Sequence, residues 1–284
     1  MSHTLLYYTL QIYIFIFDYT KLFVSLQRFS MKEGILYKYL DANGGRLMLK
    51  NSNLQYTNAA MFNDPFDCHP SLIDFSNVPP ELCKAWGPEV IEKVRSDSYR
   101  RLHNRAWVCS LSKVYDSMLM WSYYTYHTGV CIGLNLEKVS KLLHPMLGQI
   151  VYPEGMEVDY RDIIQKPDFF NEGKDYWRYQ LCTKGKAWEH EQEVRLIILD
   201  PMQFRMKASY PYKYKDKTDP IPWNEVRFYL PIKGDCFESI YLGIKIDEED
   251  KNAIIELARE LNPNIKIYQM QPDPKAFRLI PKEI

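Results

Sequence analysis

In the stretch Trp188-Glu189-His190-Glu191-Gln192-Glu193-Val194-Arg195, two carboxylates and a guanidinium fall at alternate positions, and Leu196-Ile197-Ile198-Leu199 follows directly. Strand side chains alternate between two faces with period two. A strand that starts near Glu191 therefore shows Glu191, Glu193 and Arg195 on one face and Val194, Leu196 and Ile198 on the other. Two glutamates two positions apart repel, so one has a raised pKa unless Arg195 or a lysine neutralises it. Lys184, in Lys184-Gly185-Lys186-Ala187-Trp188, lies just upstream. Such a row is costly to bury and unnecessary for folding. It reads as an exposed salt-bridged face, as a deliberate ion-pair network, or as part of a site.

Three further clusters carry groups capable of chemistry. In Phe62-Asn63-Asp64-Pro65-Phe66-Asp67 the proline imposes extended or turn geometry on the residue before it. Asn63 and Asp64 then either cap a turn between aromatic anchors or project from a rigid loop into a site. Cys109-Ser110-Leu111-Ser112 ends a strand-like run. Neither Ser110 nor Ser112 sits in a G-x-S-x-G context or has an evident His/Asp pair, which argues against a serine hydrolase. In Met120-Trp121-Ser122-Tyr123-Tyr124-Thr125-Tyr126-His127, a helix aligns Met120, Tyr123, Tyr124 and His127 on one face. That face is either an aromatic core stripe or a cleft wall able to stack a base or a nicotinamide-type ring. His127 alone supplies too few ligands for a metal.

Taken in order, these clusters resemble a bacterial family known only as domain of unknown function 2971. The resemblance runs from about Leu36 to Ile280. It rests on Leu-Tyr-Lys-Tyr at Leu36, Asn-Asp-Pro-Phe at Asn63, Ser-Leu-Ser at Ser110, Met-Trp-Ser at Met120, Gly-Val-Cys-Ile-Gly at Gly129, and Lys-x-x-x-Trp-x-x-Glu-x-Glu-x-Arg from Lys184 to Arg195. Members commonly carry His where this chain has Tyr123. The family name brings no reaction with it.

The order Ser-x-Ser, aromatic face, Glu-x-Glu also resembles the ADP-ribosyltransferase pattern, an analogy of motif order. That resemblance implies NAD as candidate co-substrate, with no other cofactor and no metal. It implies Glu193 as the carboxylate that stabilises an oxocarbenium-like state and Glu191 as the group that handles the acceptor. Ser110 and Ser112 would position the ribose or Glu193. Tyr123, Tyr124 or Tyr126 would stack the nicotinamide, with Trp121, Asn63 and Asp64 in the same nucleotide site, and Lys38 and Arg195 would meet phosphates. Two other classes stay open. One is a nuclease holding Mg²⁺ between Asp64, Glu191 and Glu193; the other is a non-enzymatic binding or defence-accessory module.

The elements that must position these groups read as an α+β fold, a single domain with a central mixed sheet flanked by helices. Strands are expected at Ile35–Leu40 (or a helix start), Trp107–Ser112, Gly129–Leu134, Gln149–Tyr152, the charged run, Glu225–Leu230, Ser239–Gly243 and Ile265–Tyr268. Asn43-Gly44-Gly45 reads as a turn, and Leu47–Leu49 with Leu54–Thr57 as a short strand pair. Helices are expected after Pro79-Pro80-Glu81, from Glu89 to Asn104, and at Ser117–His127, Leu136–Leu143, Phe169–Lys184 and Asp247–Leu261. The last of these, capped by Asp247 and stopped by Asn262-Pro263, completes a C-terminal β-α-β unit. Pro201–Pro222 reads as an irregular excursion.

The chain has 284 residues, 46% hydrophobic and 25% charged, with 22 tyrosines and 36 basic against 36 acidic groups. This balance argues against duplex nucleic acid as a partner and leaves a small-molecule nucleotide open. Six scattered cysteines without a C-x-x-C pair point to a reduced, cytoplasmic compartment without disulfides or structural zinc. Residues 1–30 are apolar, with no Ala, Gly or Pro. The uncharged run of about 14 residues is too short to span a membrane and lacks the flanks of a signal peptide. The expectation is that Met31 is the true start, residues 31–284 forming the domain; a membrane anchor is the runner-up.

Overall fold

The computed structural model describes residues 30–31, 34–147, 151–170, 176–199 and 227–284, and Met31–Ile284 forms one compact unit. Residues 1–29 and the excursion at Pro201–Pro222 lie outside the described residues. The fold is α+β with a central mixed sheet flanked by helices. Its strands are β1 (Ile35–Leu40), β2 (Asn53–Asn58), β3 (Ala106–Ser112), β4 (Val130–Asn135), β5 (Val151–Glu157), β6 (Asp159–Arg161), β7 (Thr183–Gly185), β8 (Glu193–Leu199), β9 (Arg227–Pro231), β10 (Phe237–Leu242), β11 (Lys266–Pro272) and β12 (Leu279–Glu283). The helices are α1 (Ala42–Asn51), α2 (Pro80–Arg105), α3 (Met118–Thr125), α4 (Leu136–Leu147), α5 (Tyr176–Cys182) and α6 (Glu248–Leu261).

From β5 the sheet runs β5-β8-β3-β1-β4-β10-β11-β12, while β2 pairs β3 and carries β9 on its other side. A separate pair, β6 with β7, is parallel. β10 and β11 are also parallel and joined through α6, which is the expected β-α-β unit. Asp247 caps α6 by accepting the Asp250 amide, and Glu248, Glu249 and Asp250 fill its first turn, where the helix dipole favours negative charge. The core forms on one sheet face, where Leu36, Ile132, Leu134, Val194, Leu196, Ile198, Ile240 and Leu242 meet α1 and α6 through Met48, Leu49, Ile254 and Ala258. On the opposite face Tyr39, Cys131, Tyr241 and Met270 pack with Met120 and Trp121 of α3.

Several elements differ from expectation. Asn43-Gly44-Gly45 opens helix α1 rather than a turn: Asp41 caps it by accepting the Gly44 amide, and Leu47–Leu49 are helical. Glycine disfavours a helix locally, but Met48 and Leu49 bury against the core, and packing overrides propensity. The strand β2 therefore pairs β9 and β3 instead of Leu47–Leu49. The helix expected over Phe169–Lys184 is described only for Tyr176–Cys182, with Lys184 in β7; residues 171–175 lie outside the description. The terminal hairpin β11–β12 had no expected second strand.

Candidate functional site

The charged run divides into two elements. Lys186–Glu191 winds as a 3-10 helix, and Gln192 follows in the left-handed region (φ 44°, ψ 50°). Only at Glu193 does the strand begin. Glu191 is thus not a strand residue, yet the reversal at Gln192 still brings its carboxylate beside Glu193. The other half of the alternation holds, with Val194, Leu196 and Ile198 in the core. The charged half is buried: Glu191 is 3% exposed, Glu193 4% and Arg195 0%.

Arg195 is clamped from two sides. Its Nη1 and Nη2 donate to Asp67 Oδ1 and Oδ2 at 2.9 and 2.8 Å, and its Nε and Nη2 donate to Glu193 Oε1 and Oε2 at 2.9 Å each. A further bond reaches the Leu181 carbonyl at 2.6 Å, and the Phe62 ring lies 5.4 Å from the guanidinium carbon. Lys184 joins the acids: its Nζ is 2.6 Å from Glu191 Oε2, 3.4 Å from Glu193 Oε2 and 3.6 Å from Asp67 Oδ2. Its ammonium also stands 4.8 Å from the centre of the Trp188 ring. Tyr124 donates a short hydrogen bond to Glu191 Oε1.

Three carboxylates thus face two cations, a formal surplus of one negative charge. Burial raises the Glu193 pKa, but Arg195 and then Lys184, helped by a Ser110 hydrogen bond, outweigh it and lower the carboxyl to about 2. Burial likewise pulls Lys184 down, and Glu193 and Asp67 more than restore it above its usual range. The phenol of Tyr124 is pushed up by burial and then by Glu191, so it stays a donor.

This cluster forms one wall of a cleft of about 200 Å³ that is also lined by Tyr37, Lys38, Tyr39, Phe62, Asn63, Ser110, Ser112, Met120 and Tyr124. The cleft opens where two strands part: β1 and β3 share one register pair, Tyr37 with Ser112. Beyond it, Lys38 Nζ donates to the Ser110 carbonyl at 2.8 Å. Ser112 Oγ donates to the Glu191 carbonyl at 2.7 Å and accepts the Val114 amide at 3.2 Å, tying the 3-10 segment to β3.

Of the residues singled out in the sequence, Lys38, Asn63, Ser110, Ser112, Tyr124, Glu191 and Glu193 converge on the cleft. Tyr126 and His127 do not line it, and neither do four others. Arg195 has no exposed surface, and its donors are spent on Asp67, Glu193 and Leu181, so it cannot meet a phosphate. Asp64 accepts the Phe66 amide as a turn cap. Trp121 is turned into the core, its indole donating to the Tyr115 carbonyl. Tyr123 is 58% exposed and lies edge-on to His190 outside the cleft.

The expected face Met120, Tyr123, Tyr124, His127 is also broken. The helix stops at Thr125, and Tyr126 and His127 take positive φ. Only Met120 and Tyr124 reach the cleft. The set considered for Mg²⁺ does not assemble, since Asp64 is elsewhere, and the described residues contain no cluster of His, Cys, Asp and Glu fit for a metal. Asp67 was missed, although it stands in the Asn-Asp-Pro-Phe-Asp stretch. The signal was a second acid three positions beyond Asp64, past the proline.

The fold and cleft define an α+β protein whose opening in the sheet is walled by a buried ion network. Residues 120–196 match the model of a family described as "Protein of unknown function (DUF2971)", which supports the family resemblance seen in the motifs. The matched segment includes Met120, Tyr124, Lys184, Glu191, Glu193 and Arg195. No curated protein and no solved structure matches the chain. All six cysteines are free, and no helix among the described residues is long and apolar enough to cross a membrane.

Proposed function

We propose that the cleft binds the nicotinamide–ribose end of NAD and splits the bond between them, in the manner of an ADP-ribosyltransferase. The observation that carries this reading is Glu193, a carboxylate in the cleft wall that Arg195 and Lys184 fix in place and hold ionised. Burying five charged groups is costly and rarely the most stable way to fill a core, whereas perturbed groups in a cleft suit a site. When the C1′–N bond breaks, its electron pair leaves with the ring nitrogen and the pyridinium becomes neutral nicotinamide. Positive charge then builds on the ribose, and a fixed, ionised carboxylate stabilises it without reorganising. The acceptor oxygen or nitrogen forms the new bond to C1′ and releases its proton to Glu191 or to solvent.

The residues divide these tasks. Glu193 supplies charge; Lys184 and Arg195 keep it in place. Tyr124 holds Glu191, and Ser110 steadies Glu193. Lys38 has three donors, of which Ser110 takes one, so a phosphate at the mouth can use the others. The volume of about 200 Å³ is below the roughly 300–1,000 Å³ of drug-sized sites. It suits one ring with its sugar, leaving the rest of the dinucleotide over the rim.

A thermal-shift comparison tests the assignment. NAD should raise the unfolding midpoint, equivalent to about 2.7 kcal/mol at a hundredfold excess over its Kd, while Mg²⁺ alone should not. Stabilisation by Mg²⁺ and not by NAD would return the nuclease reading. NAD bound without release of nicotinamide would make the cleft a non-enzymatic binding module.

A further inference from the structure

Lys184 reaches the three acids from β7, where its backbone pairs in parallel with Tyr160 of β6. A lysine side chain is a flexible four-carbon stem ending in a compact charge, so the groups around the ammonium decide where it rests. Glu191, Glu193 and Asp67 stand at 2.6, 3.4 and 3.6 Å from its Nζ, and the centre of the Trp188 ring lies 4.8 Å from the same atom. Trp188 and Glu191 are three positions apart in the 3-10 helix Lys186–Glu191, and in such a helix residues i and i+3 eclipse. One turn therefore presents an anion and an aromatic face to Lys184 together. The indole is itself braced. The His190 ring lies 6.2 Å from it at 30°, with Nδ1 3.1 Å from the Ala187 carbonyl oxygen, and Tyr123 stands edge-on to His190 at 5.9 Å.

Trp188 does not line the cleft, so it acts on a ligand there through Lys184 or not at all. We propose that Trp188 is a positioning residue, whose indole face holds the Lys184 ammonium against Glu191 and Glu193 by a cation–π contact and so keeps the carboxylates of the cleft in place. Among aromatic side chains tryptophan attracts a cation most strongly, and the attraction grows where water is excluded; Lys184 is buried. A leucine at position 188 fills much of the space and attracts no ammonium. The charge distribution of the ring, beyond its volume, therefore sets the effect. The consequence for nicotinamide release rests on the reading of the cleft given above; the contact itself does not.

The first test is a double-mutant cycle on urea unfolding of the full chain without NAD: wild type, Trp188→Leu, Lys184→Met and the two combined. The folding constants should depart from independence by about 2- to 30-fold, the range of a cation–π contact. Replacing the Trp188 indole by its tetrafluoro form keeps the ring and withdraws its negative face. It should lower the urea midpoint, and it decides the matter if Lys184→Met does not fold. Independent effects in the cycle, or a midpoint unchanged by fluorination, would overturn the proposal. The second test is nicotinamide release. Trp188→Leu should lower kcat about tenfold or more, as misplaced groups do, with KM for NAD unchanged, and Trp188→Phe should recover most of the loss. A change in KM alone, or a loss that phenylalanine does not restore, would overturn the positioning role. Coupling in the cycle with no release by the wild type would count for the contact and against the reading of the cleft, so the two failures are distinguishable.

Discussion

Arg195 and Glu193 stand at the centre of the charged cluster, and their energetics follow from where they sit. Arg195 holds two carboxylates from opposite sides and has no exposed surface. Arg195→Met leaves Asp67 and Glu193 buried against Lys184 alone. Breaking such a pair costs about 3–5 kcal/mol, and urea unfolding should show a loss of that size. The pH dependence has a definite sign. Glu193 binds its proton far less readily in the folded chain, at about 2 against an ordinary 4.5, so it contributes stability above pH 4.5 that is lost as the pH falls towards 2. Glu193→Gln should therefore flatten the stability–pH curve in that window; an unchanged slope would show that the carboxyl is not held ionised. The two-residue spacing made the Glu193–Arg195 pair legible in the sequence. Asp67 was not legible, because its bond to Arg195 spans 128 positions of chain and no local pattern encodes it. Trp121 misled because motif position says nothing of which way a side chain turns.

At the level of elements, the cleft depends on strands that part and on a tight junction that anchors them. A Cβ added at Gly129 would lie 2.1 Å from the Leu40 carbonyl oxygen, and one at Gly243 would lie 2.3 Å from that of His127. Both contacts are to backbone and cannot be relieved by a side-chain rotation. The Gly243 amide also donates to Gly129 O at 2.9 Å, so this junction fixes the end of α3 against β4 and β10. Gly129→Ala should destabilise by about 1–3 kcal/mol, seen as a lower urea midpoint at constant slope. A midpoint equal to wild type would show that the junction is loose. By contrast, Asp247→Ala should cost about 1 kcal/mol, the loss of one helix cap. Elements with strong local signals were readable: the α6 cap and its stop, the apolar strands β3, β4 and β10, and the start of α3 at Ser117. Where packing outvoted local preference, as in α1, or a left-handed residue cut an element short, as at Tyr126 and Gln192, the sequence pattern pointed the wrong way.

Across the whole molecule, an opening in the sheet coincides with a buried charged cluster that a core would not need. Within the balanced composition, 36 basic against 36 acidic groups, three acids and three bases are gathered at one cleft: Asp67, Glu191 and Glu193 with Lys184 and Arg195 behind them, and Lys38 on the facing strand. The most direct measurement is the release of nicotinamide from NAD by the wild-type chain and by Glu193→Gln at matched concentration, with folding of both verified by their unfolding midpoints. Release by the wild type is expected, with a rate about 10²–10³-fold lower in the variant, the usual loss when one electrostatic stabiliser is removed. A folded wild type that releases no nicotinamide, or a variant that releases it as fast, would contradict it.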